Sequence, residues 1–384
     1  MPKIYVLTTV HSRYDVRVFL KQCRSIASTA YEVNLLVQDG KGNECRDGVT
    51  ITDLGLPPSG RLRRILFSPW KMYNYVRSVQ ADIVHFHDPE LLPVAFLLKR
   101  AGRRVVYDSH EDFPRQVLSK HWITPLLRKS VSVIFEVFEN SVVRNLDAVV
   151  CATPFIANRF KALNNNAVDV NNFPLAEEFH QPEQRQKQPF SRTICYIGAM
   201  TRERGISELV KALELLQNVT LIMCGPFESE AYAAELRGMP GWRFVDYRGI
   251  VGRVEVGDIM ARSAAGVVTF LPGPNHNDSQ PNKMFEYMSA GLPLIASHFP
   301  LWRDIVEKSN CGICVDPASP KEIAGAISTL LADENLCLHM AKAGREAISS
   351  RFNWSNESDK LLKLYDEVLT QEKPAWSTSH TPTR

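Results

Sequence analysis

Residues 193–224 read TICYIGAMTRERGISELVKALELLQNVTLIMC, and this stretch decides the fold class. An apolar run, Thr193–Ile197, is followed by a glycine turn, an amphipathic segment of helical length that begins near Ile206, and a second apolar run, Thr220–Cys224. Two strands joined through a helix run parallel, because the crossover returns the chain to the same end of the sheet. The stretch therefore predicts one βαβ unit of a parallel sheet.

The same rhythm of short apolar runs and longer amphipathic segments extends in both directions and is interrupted once. The strands expected in the first half are Ile4–Thr9, Val33–Val37, Asp82–Phe86, Val105–Tyr107 and Ala148–Cys151. Those expected in the second half are Thr193–Ile197, Thr220–Cys224, Arg243–Val245, Gly266–Phe270, Leu294–Ala296 and Gly312–Val315. We therefore predict an α/β protein with two doubly wound parallel sheets, each in a Rossmann-like domain.

The interruption, EEFHQPEQRQKQPF, is a polar and glutamine-rich segment with two prolines, which is typical of an exposed linker. We expect a first domain at residues 1–176, a linker at 177–191 and a second domain at 192–355. A helix at 356–370 is expected to pack back towards the first domain, and the Ser/Thr/Pro-rich tail at 371–384 is expected to be disordered. Two open α/β domains should leave a cleft lined by the loops that follow the strands.

Composition favours a protein of the cytoplasm. The chain of 384 residues is 45% hydrophobic and 23% charged, as soluble globular proteins are. The start, MPKIYVLTTV, lacks the apolar core of a secretory signal, and the most apolar later stretch, Val131–Val143, is too short to span a bilayer. Eight scattered cysteines indicate reduced, buried thiols. Cys311 and Cys314 lack a second pair for a zinc site and are expected in a core strand.

Charge is distributed unevenly along the chain. Residues 1–170 carry a net charge of +7, and residues 171–384 carry −4. The basic half contains two clusters, which are Arg61, Arg63 and Arg64, and Lys99, Arg100, Arg103 and Arg104. These clusters suit an anionic membrane surface or a phosphorylated acceptor, and equally suit the solvated face of a helix. Nucleic acid is not expected as a partner.

The loop and helix after the expected strand Gly266–Phe270 have the features of an anion site. Pro281 is expected at the first helical position, with Ser279 or Gln280 just before it. The free N–H groups at the start of this helix, together with the charge of Lys283, would bind a phosphate well.

Two carboxylates flank the same helix start. Asp278 precedes the helix and Glu286 lies one to two turns inside it. Both carboxylates would accept hydrogen bonds from vicinal hydroxyls while the phosphates of the ligand meet the helix start. This combination indicates a nucleotide-sugar, and an exposed ion pair between Lys283 and Glu286 is an equally open alternative.

The loop after the strand Thr193–Ile197 adds a glycine and two arginines. Gly198 allows a close turn, and Arg202 and Arg204 precede the next helix. A guanidinium there could clamp a diphosphate, although arginine beside Glu203 is commonly only part of a solvated turn. The chain has no G-x-G-x-x-G after its first strand, no P-loop and no Asp-x-Asp, which disfavours a Rossmann dehydrogenase, a P-loop nucleotidase and a metal-held sugar diphosphate.

Titratable side chains crowd the ends of the strands in the first half. They are His11, Asp15 and Arg17 after the first strand, His87 and Asp88 after Phe86, and His110 and Glu111 after the strand Val105–Tyr107. These strand ends face the expected cleft, so the side chains are candidates for the acceptor side of a site. Two alternatives are structural, because His85 is expected in the core and Asp15 could cap the helix Val16–Ala27.

The chain resembles the family 4 glycosyltransferases of GT-B architecture over about residues 3–370. The segment Asp278–Pro293 is similar to the two-acid motif of that family, E-x7-E followed by G-[LKI]-P, with Asp278 and Glu286 as the two acids. The loops HDPELLP at 87–93 and YDSHED at 107–112, and the opening TTVHSRYDVR, resemble the bacterial polysaccharide-assembly branch of the family.

The resemblance implies a role for each candidate residue. Glu286 would bind the ribose of the donor, Asp278 would bind a hydroxyl of the transferred sugar, and His110 would lie near the sugar and the leaving phosphate. The residues implied in binding the donor nucleotide and its phosphates are Gly198, Arg202, Arg204, Ser279, Gln280, Pro281, Asn282, Lys283 and Glu286. The arginine that the family places after Gly198 is Ala199 here, so Arg202 or Lys283 would have to replace it.

The activity implied is transfer of a hexosyl or N-acetylhexosaminyl group, with retention, from a UDP- or GDP-linked sugar to a saccharide hydroxyl. No metal or other cofactor is implied. The acceptor would be linked to a lipid such as undecaprenyl diphosphate, in the synthesis of O-antigen, capsule or exopolysaccharide at the inner face of the cytoplasmic membrane. A sugar-nucleotide 2-epimerase of the same fold and a non-catalytic nucleotide-sugar-binding protein are the alternatives.

Overall fold

The computed structural model describes residues 1–119, 124–175, 191–273 and 276–371. Contacts within the chain divide it into two compact units. Unit 1 comprises Met1–Asn172 and Ser355–Arg384, and unit 2 comprises Phe173–Trp354. Residues 177–190 of the expected linker and 372–384 of the expected tail lie outside the described residues.

Unit 1 is built on an eight-stranded sheet. Its strands are β1 (Lys3–Leu7), β2 (Glu32–Val37), β3 (Glu44–Arg46), β4 (Val49–Asp53), β5 (Ile83–Phe86), β6 (Arg104–Ser109), β7 (Ala148–Cys151) and β8 (Ala167–Asp169). They lie in the order β3-β4-β2-β1-β5-β6-β7-β8. Neighbouring strands are parallel except β3 and β4, which are antiparallel.

The register of the central strands brings three loops together. Leu7 at the end of β1 pairs with Phe86 at the end of β5, and Phe86 pairs with Tyr107 near the end of β6. Because the strands are parallel, the loops after β1, β5 and β6 all leave the sheet at one edge. The histidines and carboxylates of these loops therefore lie close together.

Helical segments separate most of the strands of this sheet along the chain. The helical segments of unit 1 are Val16–Cys23 (π-helical), Arg24–Ala27, Arg61–Ser78, Pro89–Leu91 (3-10), Leu92–Arg100, Phe113–Ser119, Pro125–Val143 and Pro154–Lys161, together with Trp354–Thr370 from Ser355 onward. The first of them is capped by Asp15, whose carboxylate accepts hydrogen bonds from the backbone N–H groups of Arg17 and Val18.

Unit 2 contains a six-stranded sheet in which all neighbours are parallel, in the order β11-β10-β9-β12-β13-β14. The strands are β9 (Thr193–Ile197), β10 (Thr220–Cys224), β11 (Val245–Gly249), β12 (Ala265–Val268), β13 (Leu294–Ser297) and β14 (Gly312–Val315). The helical segments are Arg202–Arg204 and Pro240–Phe244 (both 3-10), Ile206–Leu213, Glu230–Arg237, Arg253–Arg262, Asn282–Ala290, Pro300–Lys308, Pro320–Ala332 and Glu334–Ser350.

The predicted fold class, two parallel α/β sheets, is confirmed, and the differences are local. Strands β3, β4 and β8 were not expected, and the antiparallel edge strand β3 departs from a purely parallel sheet. The strand expected at Arg243–Val245 is wrong, since Pro240–Phe244 forms a 3-10 helix and the strand begins at Val245. In the described part of the chain, no helix is both long enough and apolar enough to cross a membrane.

Candidate active site

Unit 2 holds a buried lysine side chain beneath the loop that follows β9. The Lys283 side chain is buried, and its Nζ has no hydrogen-bond partner among the described residues. The ammonium lies 4.1 Å from the centroid of the Tyr196 ring and 5.3 Å from that of Phe270. Burial, reinforced by the nearby Arg204, holds the pKa of Lys283 well below that of a free lysine. The alternative of an exposed Lys283–Glu286 ion pair is therefore wrong.

Gly198 makes room for this ammonium. Its φ is 144°, and a Cβ built there would lie 2.4 Å from the Nζ of Lys283. The Gly198 N–H donates to the carbonyl of Cys224 at 2.7 Å, which fixes the loop next to the end of β10. A side chain at this position would occupy the space above the lysine, so the glycine leaves that space open for a ligand.

The two arginines of the same loop have different surroundings. The Arg204 guanidinium is half-buried over the Phe270 ring, and its Nη1 donates to the carbonyl of Ala199 at 3.2 Å. Arg202 is exposed and forms a two-pronged ion pair with Glu235. Arg204 therefore lies near Lys283, whereas Arg202 is paired with the carboxylate of Glu235.

The helix that contains Lys283 begins one residue later than expected. It spans Asn282–Ala290, and Pro281 is the residue before it rather than its first residue. The first N–H groups of a helix have no carbonyl partner within it, so they can bind an anion. The hydroxyl of Ser279 donates to the carbonyl of His276 at 2.9 Å, and the Oε1 of Gln280 is buried without a partner in the described part of the chain.

The two acids of the motif differ in exposure. Asp278 is exposed in the turn before the helix, and Glu286 is half-buried inside it. The Arg253 guanidinium lies 3.8 Å from Glu286. Arg253 was missed in the sequence, where nothing in the spacing connects it to the two-acid motif.

Unit 1 collects its titratable groups around Asp108, which is completely buried. Arg17 donates to both oxygens of this carboxylate, at 3.2 and 2.9 Å, and Gln22 donates at 2.5 Å. Burial alone would raise the pKa of Asp108, but the positive charge of Arg17 holds it well below the usual range. Arg17, expected on the acceptor side, is thus a buried partner of Asp108. Asp108 and Gln22 were not among the predicted site residues.

Two histidines of the predicted site, His87 and His110, lie against this carboxylate, and His11 packs on His110. The Nδ1 of His87 lies 3.0 Å from the Nε2 of His110 and 3.3 Å from Asp108. The His11 ring lies 4.8 Å from that of His110, centroid to centroid. His85 is fully buried, as expected, and pairs with the hydroxyl of Tyr365 at 2.5 Å.

The three acids expected on the acceptor side differ in burial and in hydrogen bonding. Asp88 is buried and accepts from the hydroxyl of Thr8 at 2.9 Å and from the N–H of Thr9 at 2.6 Å. The carboxylate of Asp15 caps a helix and lies 3.2 Å from the Nδ1 of His11. Glu111 is exposed. Asp88 and Asp15 therefore hold the loop after β1 in place around His11.

Among the described residues, one group has the spacing of metal ligands, namely His85, His87 and Asp108. The oxygens of Asp108 already accept from Arg17 and Gln22, and the Arg17 guanidinium places a positive charge next to the group. A further cation would be repelled there, so we derive no metal site from it.

Comparison with known proteins identifies the class. The family "Glycosyl transferase 4-like domain" matches residues 16–176, and the family "Glycosyl transferases group 1" matches residues 191–333. Phosphatidyl-myo-inositol mannosyltransferase of Mycobacterium leprae is 22% identical over 328 residues, which is 82% of this chain and 82% of that protein.

Solved structures share the fold at low sequence identity. Sucrose-phosphate synthase from Thermosynechococcus elongatus matches with a TM-score of 0.77 and 16% identity, covering 96% of this chain and 99% of the other. Anabaena HepE in complex with UDP-glucose matches with a TM-score of 0.68 and 16% identity, covering 95% and 99%. The two parallel α/β sheets are those of the GT-B fold.

The two family matches together span most of the chain, so it belongs to the group 1 glycosyltransferases, family 4, with a GT-B fold. As a member of that family it is a retaining glycosyltransferase that uses a nucleotide-sugar donor.

Proposed function

We propose that unit 2 binds the diphosphate of a UDP- or GDP-linked sugar over Lys283. The buried Lys283 side chain carries this proposal, because its Nζ has no hydrogen-bond partner among the described residues, a state that is costly, and an anionic ligand would supply one. Arg204 and the start of the helix Asn282–Ala290 add positive potential at the same place. The complex of Anabaena HepE with UDP-glucose supports a uridine donor.

In this proposal the two-acid motif binds the rest of the donor. Glu286 accepts hydrogen bonds from the ribose, Asp278 from a hydroxyl of the transferred sugar, and His110 of unit 1 contacts the sugar or the leaving phosphate. Preorganised positive charge at the leaving diphosphate supplies most of the stabilisation, because negative charge develops there in the transition state. No metal takes part, as Lys283 and Arg204 replace its charge.

The acceptor, in this proposal, is a lipid-linked saccharide met at the cytoplasmic face of a membrane. The helix Arg61–Ser78 supports it, because this helix exposes four large apolar side chains beside exposed Arg61 and Arg63. The four are Leu62, Leu66, Phe67 and Trp70. Apolar and basic side chains on one helix are typical of binding to an anionic lipid surface.

The second basic cluster has partners inside unit 1. Lys99 pairs with Asp147 at 2.6 Å, Arg103 donates to the carbonyl of Val79 at 2.8 Å, and Arg104 donates to the carbonyl of Leu369 at 3.0 Å. These contacts leave the helix Arg61–Ser78 as the surface that we assign to the membrane. We place the enzyme in the synthesis of a cell-surface polysaccharide such as O-antigen, capsule or exopolysaccharide.

The test compares Glu286→Ala with Cys311→Ala, a change at a buried residue outside the two-acid motif. UDP-glucose and a GDP-linked hexose serve as donors, and an undecaprenyl-diphosphate-linked monosaccharide serves as acceptor. We expect acceptor-dependent release of nucleotide by the wild type and by Cys311→Ala. Glu286→Ala should lose donor affinity by about 10-fold or more, as loss of a charged hydrogen bond implies.

Other outcomes identify the alternatives. Formation of an epimerised donor without acceptor would indicate a 2-epimerase, and donor binding without turnover would indicate a non-catalytic binding protein. Equal donor affinity in Glu286→Ala and Cys311→Ala would contradict the assignment of the two-acid motif.

A further inference from the structure

The ring of His110 has one nitrogen in contact with the protein and one without. Its Nε2 lies 3.0 Å from the Nδ1 of His87 and 3.7 Å from Asp108. Its Nδ1 makes no hydrogen bond with the described part of the chain. The side chain of His110 keeps 19% of its surface exposed, whereas those of His87 and Asp108 have none. The Nδ1 is therefore the atom that His110 can offer to a ligand.

The position of the proton on His87 follows from its neighbours. The Nδ1 of His87 lies 3.3 Å from the carboxylate of Asp108, and two facing lone pairs at that distance would repel each other. A proton on Nε2 instead would leave a buried N–H without an acceptor, because the Nε2 of His87 has no partner among the described residues. Both arguments place the proton of His87 on Nδ1.

This proton decides the state of His110. The Nδ1–H of His87 therefore donates to the Nε2 of His110 at 3.0 Å, so that Nε2 accepts and carries no proton of its own. Burial lowers the pKa of His110 against the opposing pull of Asp108, which keeps the ring neutral. A neutral ring whose Nε2 accepts must carry its single proton on Nδ1.

We propose that His87 and Asp108 are positioning residues that fix His110 as the Nδ1–H tautomer, so that His110 donates a hydrogen bond to its substrate. The substrate atom is a hydroxyl of the transferred sugar or an oxygen of the leaving phosphate. The role of His110 towards the substrate rests on the proposed function, whereas its tautomer rests on unit 1 alone. His85 supports the arrangement from behind, because its ring stacks on His87 at 4.7 Å and is held by Tyr365.

The direct test is nitrogen NMR of the full chain labelled with 15N-histidine. Long-range proton–nitrogen correlations distinguish a protonated from an unprotonated ring nitrogen, and His110→Gln identifies the signals of His110. We expect the wild type to show a protonated Nδ1 and an unprotonated Nε2 on His110. A wild-type His110 protonated on Nε2 would overturn the proposal, whatever the variants do.

Two substitutions of His87 separate positioning from packing. His87→Leu keeps much of the volume without a donor, whereas the amide of His87→Asn lies where Nδ1 was and can still donate. We expect His110 to lose its Nδ1–H preference in His87→Leu and to keep it in His87→Asn. An unchanged His110 spectrum in a folded His87→Leu would also overturn the proposal.

Kinetics with UDP-glucose give the second readout. We expect His87→Leu to lower kcat by about 10- to 100-fold while KM changes less than about threefold. We expect His87→Asn to keep most of the wild-type kcat. Equal losses in the two variants would assign His87 a merely structural role. If the wild type turned over no donor at all, the proposed function would fail, and the NMR result would still decide the tautomer.

Discussion

Gly198 is the residue whose change should report on the donor site most sharply. Its φ of 144° is unfavourable for any side chain, and an added methyl group would displace the ammonium of Lys283. We expect Gly198→Ala to weaken nucleotide binding by about 10-fold or more and to destabilise unit 2 by about 1–3 kcal/mol. Calorimetric titration with UDP and thermal unfolding would measure the two effects.

Gly325→Ala is the matched control, because a Cβ there meets no atom within 4 Å and the residue lies inside the helix Pro320–Ala332. It should bind nucleotide like the wild type and be slightly more stable, since alanine favours a helix. Nucleotide affinity in Gly198→Ala equal to that in Gly325→Ala would contradict the placement of the ligand over Lys283.

At the scale of single residues, the sequence predicts which residue types lie at the site better than it predicts their burial and their contacts. The positions of His87 and His110 in loops, and of Lys283 near a helix start, follow from strand ends that can be recognised in the sequence. The burial of Lys283 depends on Tyr196 and Phe270, which are distant in sequence. The pairing of Arg17 with Asp108 joins residues 91 positions apart, and no local pattern reports it.

The helix Arg61–Ser78 is the element whose surface we assign to a membrane. Replacing Leu66 and Phe67 together by aspartate removes exposed apolar surface and adds negative charge, without touching the core side of the helix. We expect this double variant to lose most of its co-sedimentation with anionic vesicles at low salt. Leu338→Asp, an exposed leucine on a helix of unit 2, should bind vesicles like the wild type.

A wild-type protein that stays in the supernatant with anionic vesicles would contradict the assignment of this helix to a membrane surface, and the proposal for the donor site would be unaffected.

At the scale of elements, several strands were predicted with their exact bounds. These are Ala148–Cys151, Thr193–Ile197, Thr220–Cys224 and Gly312–Val315. Continuous apolar runs mark such buried parallel strands. The edge strand β3 reads Glu-Cys-Arg and carries no apolar signal, so it was missed.

Across the whole molecule, Lys283 should link stability to pH. Its pKa is depressed in the folded chain, so the unfolded chain binds more protons between the folded and the unfolded pKa. The free energy of unfolding of the ligand-free protein should therefore rise with pH across that window. Lys283→Met should remove this contribution and be more stable than the wild type at pH 7, by about 1 kcal/mol, because an unpartnered buried charge is lost. A wild type with a larger free energy of unfolding in denaturant at pH 7 than Lys283→Met would contradict the view that Lys283 is buried without a partner.

The measurement that tests the donor site most directly is calorimetric titration of UDP and GDP into the wild type, Lys283→Met and Lys321→Met, with and without EDTA. Lys321 is an exposed lysine on a helix of unit 2 and serves as the control. We predict that one nucleotide binds the wild type and Lys321→Met equally, that EDTA changes nothing, and that Lys283→Met loses about 10- to 100-fold in affinity. Unchanged affinity in Lys283→Met, or binding that EDTA abolishes, would contradict the account of a metal-independent diphosphate site over Lys283.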